Sequence, residues 1–299
     1  MRRIQSVELM LLTTVLLWAL NFTVTKYVIT HGWRPLAYSS VRYGCATALF
    51  AAVTFARERS LRVAWRDVRL LLAPAAVMLL LNQFGYVYSL RFTTASTVAL
   101  ILGTTPIFVG LFAFLVGLER LPSSFWLAAG CSFAGVALVA LGSGGVSGDV
   151  KGDLLAIGTA ATWAAYSVAI TPLMRRYSPW RISAIVLIGA WIGLIAAGSP
   201  QLAEQDFDFG WLTWSGFVYA VIGPLVVTNI LWFTAISRVG PSRASLFANL
   251  QPFFGVVIAV ILLSEHLSRL EVAGALAIAL GIVLERRSRV PAVPQPPAD

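Results

Sequence analysis

Two blocks of 26 residues, Ser96–Leu121 and Ser242–Leu267, constrain this chain more than any other feature. The first reads STVALILGTTPIFVGLFAFLVGLERL and the second SRASLFANLQPFFGVVIAVILLSEHL. Under a shift of 146 positions Pro106 meets Pro252 and Glu119 meets Glu265, and Ser96, Leu100, Phe108, Ala113 and Leu121 also meet their own kind. Seven identities at one fixed shift point to an internal duplication. The middle of each block is apolar for about twenty residues, enough at about 1.5 Å per residue to cross a hydrocarbon core.

The same kind of apolar run recurs along the chain, near 7–29, 35–56, 68–89, 95–117 and 124–142, then 153–174, 181–198, 211–235, 242–263 and 269–285. Hydrophobic residues make up 58% of the chain and charged ones 12%, about half the charged share of a soluble domain. The expectation is an all-α membrane protein of ten transmembrane helices. Its first repeat would be 1–142 (spans 1–5), its linker 143–152, its second repeat 153–287 (spans 6–10) and its disordered, proline-rich tail 288–299. The first run is too long for the h-region of a signal peptide.

Basic residues punctuate the runs as loop charge at a membrane face, not as a nucleic-acid footprint. With the N-terminus inside, sixteen of the 22 Lys and Arg fall on the inner face, among them Arg57, Arg62, Arg176 and Arg286. Four fall outside (Arg34, Arg91, Lys151, Arg269), and Lys26 and Arg42 lie within spans. Both termini are therefore expected in the cytoplasm. Five spans per repeat is an odd number, so the second repeat must enter the membrane inverted, as in many transporters.

A second echo falls on spans 1 and 6. Thr14, Trp18 and Asn21 match Thr159, Trp163 and Tyr166 at a shift of 145. Steps of four and three residues keep each trio on one helix face. Spans 3 and 8 carry Asn82 and Tyr86, and Asn229 and Phe233, each pair one turn apart. Asn249 and Gln251 flank Pro252, and Thr104 and Thr105 precede Pro106. These residues either line a central cavity or pack and glue helices together. The prolines read as kinks, either static or paired hinges; their symmetric placement favours hinges. Small residues in spans 5 and 10 (Gly130, Ala134, Ala137; Ala273, Gly274, Ala277, Gly281) predict close packing of those two helices.

Arg42 lies deep enough in span 2 to need a role, either snorkelling outward or drawing a substrate carboxylate; Lys26 is expected to reach the interface. Structure is the favoured role for both. No Asp or Glu occupies the middle of a span, and His31 and His266 fall in outer loops. A proton-coupled pump usually needs such a buried group, so facilitated transport, or coupling by another route, is expected. Cys45 and Cys131 lie in apolar runs and form neither a disulfide framework nor a metal site. There is no GxxxxGK[ST], HExxH or GxSxG, and the glycine-rich 142–152 reads as a linker, so neither enzyme nor cofactor is expected.

On Trp18-Ala19-Leu20-Asn21-Phe22, Val41-Arg42-Tyr43 and the paired Pro106…Glu119-Arg120-Leu121 and Pro252…Glu265-His266-Leu267 blocks, the whole chain resembles the drug/metabolite transporter superfamily, in its ten-span EamA-like branch. Within it the chain is most similar to bacterial amino-acid exporters of the YddG type. The resemblance implies two inverted five-helix halves around a central cavity, alternating access, and export of aromatic and other amino acids. It also implies that Arg42 belongs to a family pattern, which supports a structural role. Small four-helix relatives couple to protons through a glutamate in their first helix, where this chain has Trp18 and Asn21.

The expected partners are a small-molecule substrate, amino acids, and the bilayer of a bacterial inner membrane, with no nucleic acid and a monomer the simplest assembly. Trp18, Trp163 and Tyr86 would meet side chains, while Asn21, Asn82, Asn229, Asn249 and Gln251 would serve the zwitterion. Exporters of cationic drugs or nucleotide sugars share the fold and remain the alternatives. The first should carry a buried carboxylate and the second several cavity Lys or Arg.

Overall fold

The computed structural model describes residues 2–117, 122–142, 150–239, 247–248 and 250–288. Along the chain these form α1 (Arg2–Thr30), α2 (Pro35–Glu58), α3 (Trp65–Phe92), α4 (Ala95–Leu102), α5 (Thr105–Leu115), α6 (Ser123–Gly142), α7 (Val150–Ile170), α8 (Pro179–Ala203), α9 (211–239), α10 (Gln251–Leu263) and α11 (Arg269–Ser288). No strand occurs among the described residues. Seven stretches among them are long and apolar enough to cross a membrane.

The sequence expects one helix over 95–117 with Pro106 as an internal kink; the structure breaks it into α4 and α5 instead. Pro106 sits in the first turn of α5 and Pro252 in the first turn of α10. Proline suits a first turn, where its missing N–H would have no acceptor. The two breaks also touch. A Cβ on Gly103, in the gap between α4 and α5, would lie 3.0 Å from the Pro252 ring, and one on Gly255 would lie 2.9 Å from Ala99. The close approach of α4 and α10 therefore depends on glycine at both positions.

Two prolines leave a different mark. α3 and α9 each contain a π-helical segment, Val68–Leu72 just before Pro74 and Ile222–Val227 around Pro224. Pro224 has no N–H to give to the carbonyl of Ala220 four residues back, so that acceptor is left for another partner.

The small residues of α6 and α11 pack as their spacing predicts. A Cβ on Gly274 would lie 2.5 Å from the Gly135 carbonyl oxygen, and one on Gly281 would lie 2.0 Å from Ser132 Oγ. At one end of the bundle Trp33 stacks on Phe217 (5.1 Å, 7°) and Phe209 (4.9 Å, 23°), and Arg34 pairs with Glu204. At the other end Glu58 accepts from Arg181 (3.1 Å) and Ser178, and the buried Asp67 accepts from Tyr177 Oη at 2.7 Å. These are called the Trp33 end and the Asp67 end below.

Candidate functional site

Between the two ends α1, α2 and α3 share a buried polar network. Asn21 Nδ2 donates to Tyr86 Oη (2.7 Å), which donates back to the Asn21 carbonyl (3.1 Å). Thr25 Oγ1 lies 3.4 Å from Asn21 Oδ1 and 3.2 Å from Tyr38 Oη. One turn above Tyr38, Arg42 is 3% exposed, with its guanidinium 5.6 Å from the Tyr38 ring and 6.0 Å from the Tyr43 ring. Of the alternatives for Arg42, snorkelling does not occur: its Nε donates to the Ala220 carbonyl at 3.1 Å, the acceptor to which Pro224 has no N–H to give. Tyr86 and Tyr219 lie within electrostatic reach of the same guanidinium.

Of the aromatic and amide residues expected to meet a substrate, several already have protein partners. Trp18 Nε1 donates to Thr228 Oγ1 (3.0 Å) and to the Pro224 carbonyl (3.3 Å), and its ring lies 5.2 Å from Trp232. Asn82 Nδ2 donates to the Thr159 carbonyl at 2.9 Å and tethers α3 to α7, while Gln83 donates to Asn82 Oδ1. Tyr166 is buried, with its ring 5.4 Å from that of Trp163. Gln251 is half-buried in the first turn of α10. The side chains of Asn229 and Phe233, and Asn249 altogether, lie outside the described residues.

Trp163 differs from the rest. It is 42% exposed, yet Thr159 and Tyr166, about one turn away on the same face, are buried. The outward-facing Leu154 of α7 is 62% exposed and nine residues earlier, two and a half turns, so it points the opposite way. Trp163 is therefore exposed on the face that α7 otherwise buries, with its ring beside that of Tyr166.

Lys26 lies near the end of its span. Its Nζ donates to the carbonyls of Leu90 (2.6 Å) and Thr93 (2.8 Å), closing the C-terminus of α3. Glu265, its electrostatic neighbour, closes the start of the next helix: its two oxygens accept from the N–H groups of Ala95 (2.8 Å) and Ser96 (2.9 Å). Thr94 caps Thr97 N–H at 3.0 Å, so the first turn of α4 is fully satisfied. Glu271, 3% exposed, closes a capping box with Ser268 and accepts from Thr97 Oγ1 at 3.1 Å. Sequence reading missed Glu271 and Trp232; the S-x-x-E spacing of 268–271 was the signal available for Glu271. An open hollow at the Trp33 end, lined by Tyr27, His31, Asp206 and Asp208, touches none of the expected residues. No group of three or more metal-ligating side chains occurs among the described residues.

A helix bundle of this length with repeated proline breaks, apolar spans and a polar, aromatic interior has the build of a multi-pass membrane transporter. The sequence matches the EamA-like transporter family twice, over residues 5–141 and 150–285. The chain belongs to that family, and it is a multi-pass membrane protein. It is similar to an "Uncharacterized transporter" of Archaeoglobus fulgidus, 24% identical with 94% of this chain and 99% of that protein covered. It is also 22% identical to the "Probable amino-acid metabolite efflux pump" of Salmonella typhimurium, with 91% and 92% covered. A solved structure titled "Crystal structure of protein" shares the fold, with a TM-score of 0.65, 19% identity and coverage of 95% of this chain and 99% of that one.

Proposed function

We propose that this protein is a secondary transporter that exports amino acids, aromatic ones included, across a bacterial inner membrane by alternating access. Ten spans in two inverted five-helix repeats would surround the cavity, with both termini cytoplasmic and the Trp33 end outside. The observation that carries the reading is Trp163, exposed on the face of α7 that also carries buried Tyr166 and Thr159, whose carbonyl accepts from Asn82. Among the described residues no carboxylate lies in the middle of a span; the buried ones, Asp67, Asp153 and Glu271, lie at or next to span ends. A cationic drug would need such a group in the cavity. The Salmonella relative named for amino-acid metabolite efflux adds to the case for the substrate class.

In this reading Trp18, Trp163 and Tyr86 meet the substrate side chain, the amides at 21, 82, 229, 249 and 251 border its polar end, and Pro106 and Pro252 are paired hinges. Drug or nucleotide-sugar export on the same fold is the competing assignment. Counterflow in proteoliposomes, with a panel of amino acids, cationic drugs and nucleotide sugars, tests it. Amino acids should exchange, at rates a pH gradient leaves unchanged. Exchange restricted to drugs or nucleotide sugars would overturn the substrate class, and strong stimulation by protons would overturn uncoupled transport.

A further inference from the structure

We infer that Arg42 is the anion subsite of this transporter, receiving the α-carboxylate of the amino-acid substrate, with Tyr43 Oη as a second donor. The inference rests on the amino-acid reading above and moves the polar end of the substrate from the amides to a cation.

Arg42 is buried at 3% exposure and pairs with no carboxylate among the described residues. Its Nε is spent on the Ala220 carbonyl, but neither Nη group hydrogen-bonds any described residue. Tyr43, the neighbouring residue, is 2% exposed, and its ring lies 6.0 Å from the guanidinium. A cation left without an anion inside a bundle is costly, whereas a mobile anion at the fork would offset that cost. Carboxylates fit the fork because two parallel N–H donors match two oxygens. The rings of Tyr38 and Tyr43 lie beside the guanidinium, at 5.6 and 6.0 Å, and would flank a bound carboxylate.

The amides are poorer candidates for the carboxylate. Asn21 Nδ2 is committed to Tyr86 and Asn82 Nδ2 to the Thr159 carbonyl, so an oxygen of the substrate would have to displace a protein partner. The Nη groups have no partner among the described residues to displace.

The test separates the charge from the scaffold. Wild type, Arg42→Gln and Arg42→Lys are reconstituted, and counterflow of phenylalanine is compared with that of phenylalaninamide, which lacks the carboxylate. Wild type should prefer the acid. Arg42→Lys should raise the KM for phenylalanine about 10-fold, and Arg42→Gln about 10- to 100-fold with loss of the preference for acid over amide. Loss of a structural contact alone would lower both substrates together. Arg42→Gln also uncaps Ala220; where it does not accumulate, Arg42→Gln/Pro224→Ala gives that carbonyl its own helical N–H. An Arg42→Gln protein, in either background, that still prefers the acid sinks the inference while leaving amino-acid export intact.

Thermal stabilisation of the detergent-purified protein supplies the second readout. Phenylalanine should stabilise wild type and not Arg42→Gln, and chloride should do so less well. Stabilisation by chloride equal to that by phenylalanine would make this an inorganic-anion site and overturn the carboxylate assignment. Should wild type exchange no amino acid, the export reading falls; Arg42-dependent stabilisation by phenylalanine still decides the inference.

Discussion

Glu265 accepts two backbone N–H groups from a helix 170 residues away in sequence, and a carboxylate at a helix N-terminus also answers the helix dipole. Hydrogen bonds to a charged acceptor are each worth about 1.5–3 kcal/mol when partly buried. Glu265→Ala should therefore lower stability by about 2–4 kcal/mol, and Glu265→Gln by less, because one amide oxygen still accepts. Thermal melting in detergent reads the order; equal loss from both variants would mean that the side chain acts through charge alone. Tyr86→Phe is the milder case: it removes a hydroxyl that accepts from Asn21 Nδ2, and should cost about 1 kcal/mol. The sequence shows that Glu265 ends an apolar run and that Arg42 and Lys26 interrupt one. It does not show which way those side chains turn, because Ala220, Leu90 and Ala95 become neighbours only after the bundle assembles. Arg42 is the sharpest instance. Its depth is legible in the sequence, but its acceptor exists because Pro224, 182 positions on, withholds an N–H.

At the scale of elements, the pairing of α6 with α11 follows from glycine and alanine every third or fourth position, a local pattern that survives any tertiary context. A side chain at 274 would collide with the Gly135 backbone at 2.5 Å, an atom that cannot rotate away. Gly274→Val should therefore destabilise the protein by about 1–3 kcal/mol or more, whereas Ala277→Gly should cost about 1 kcal/mol through the helix backbone alone. Melting temperatures of the two variants compare them, and similar losses would put the contact in doubt. The proline breaks were harder to foresee. The GTTP of 103–106 reads equally as a kink or a stop, and only contact between Gly103 and Pro252 shows that two breaks meet. Gly103→Val, a bulk inserted at that meeting point, should slow counterflow by more than it lowers stability if the breaks move during transport. A loss of rate fully accounted for by unfolded protein would assign the breaks to packing.

Across the whole molecule, each part of the chain before 142 is tied to a part after 150. Arg42 caps Ala220, Trp18 holds Pro224 and Thr228, Glu265 caps Ala95, and Glu58 and Asp67 hold the 176–181 junction. At the Trp33 end Gln201 Oε1 accepts from Leu36 N–H and Gln205 Oε1 from Arg34 N–H, serving a helix start that lacks a side-chain cap of its own. Duplication is legible in the primary sequence, but each half leaves helix ends and a buried cation for the other to satisfy, so the halves are expected to fold together. Expressed alone, residues 1–145 should be degraded or aggregate, and co-expression with 146–299 should restore a complex that co-purifies and melts cooperatively. Arg42→Gln/Glu265→Ala in the split protein should weaken that complex by more than either change alone. A stable, monodisperse 1–145 fragment would show that the contacts between halves are dispensable for folding, and would move the weight of Arg42 from holding the halves together to what it binds.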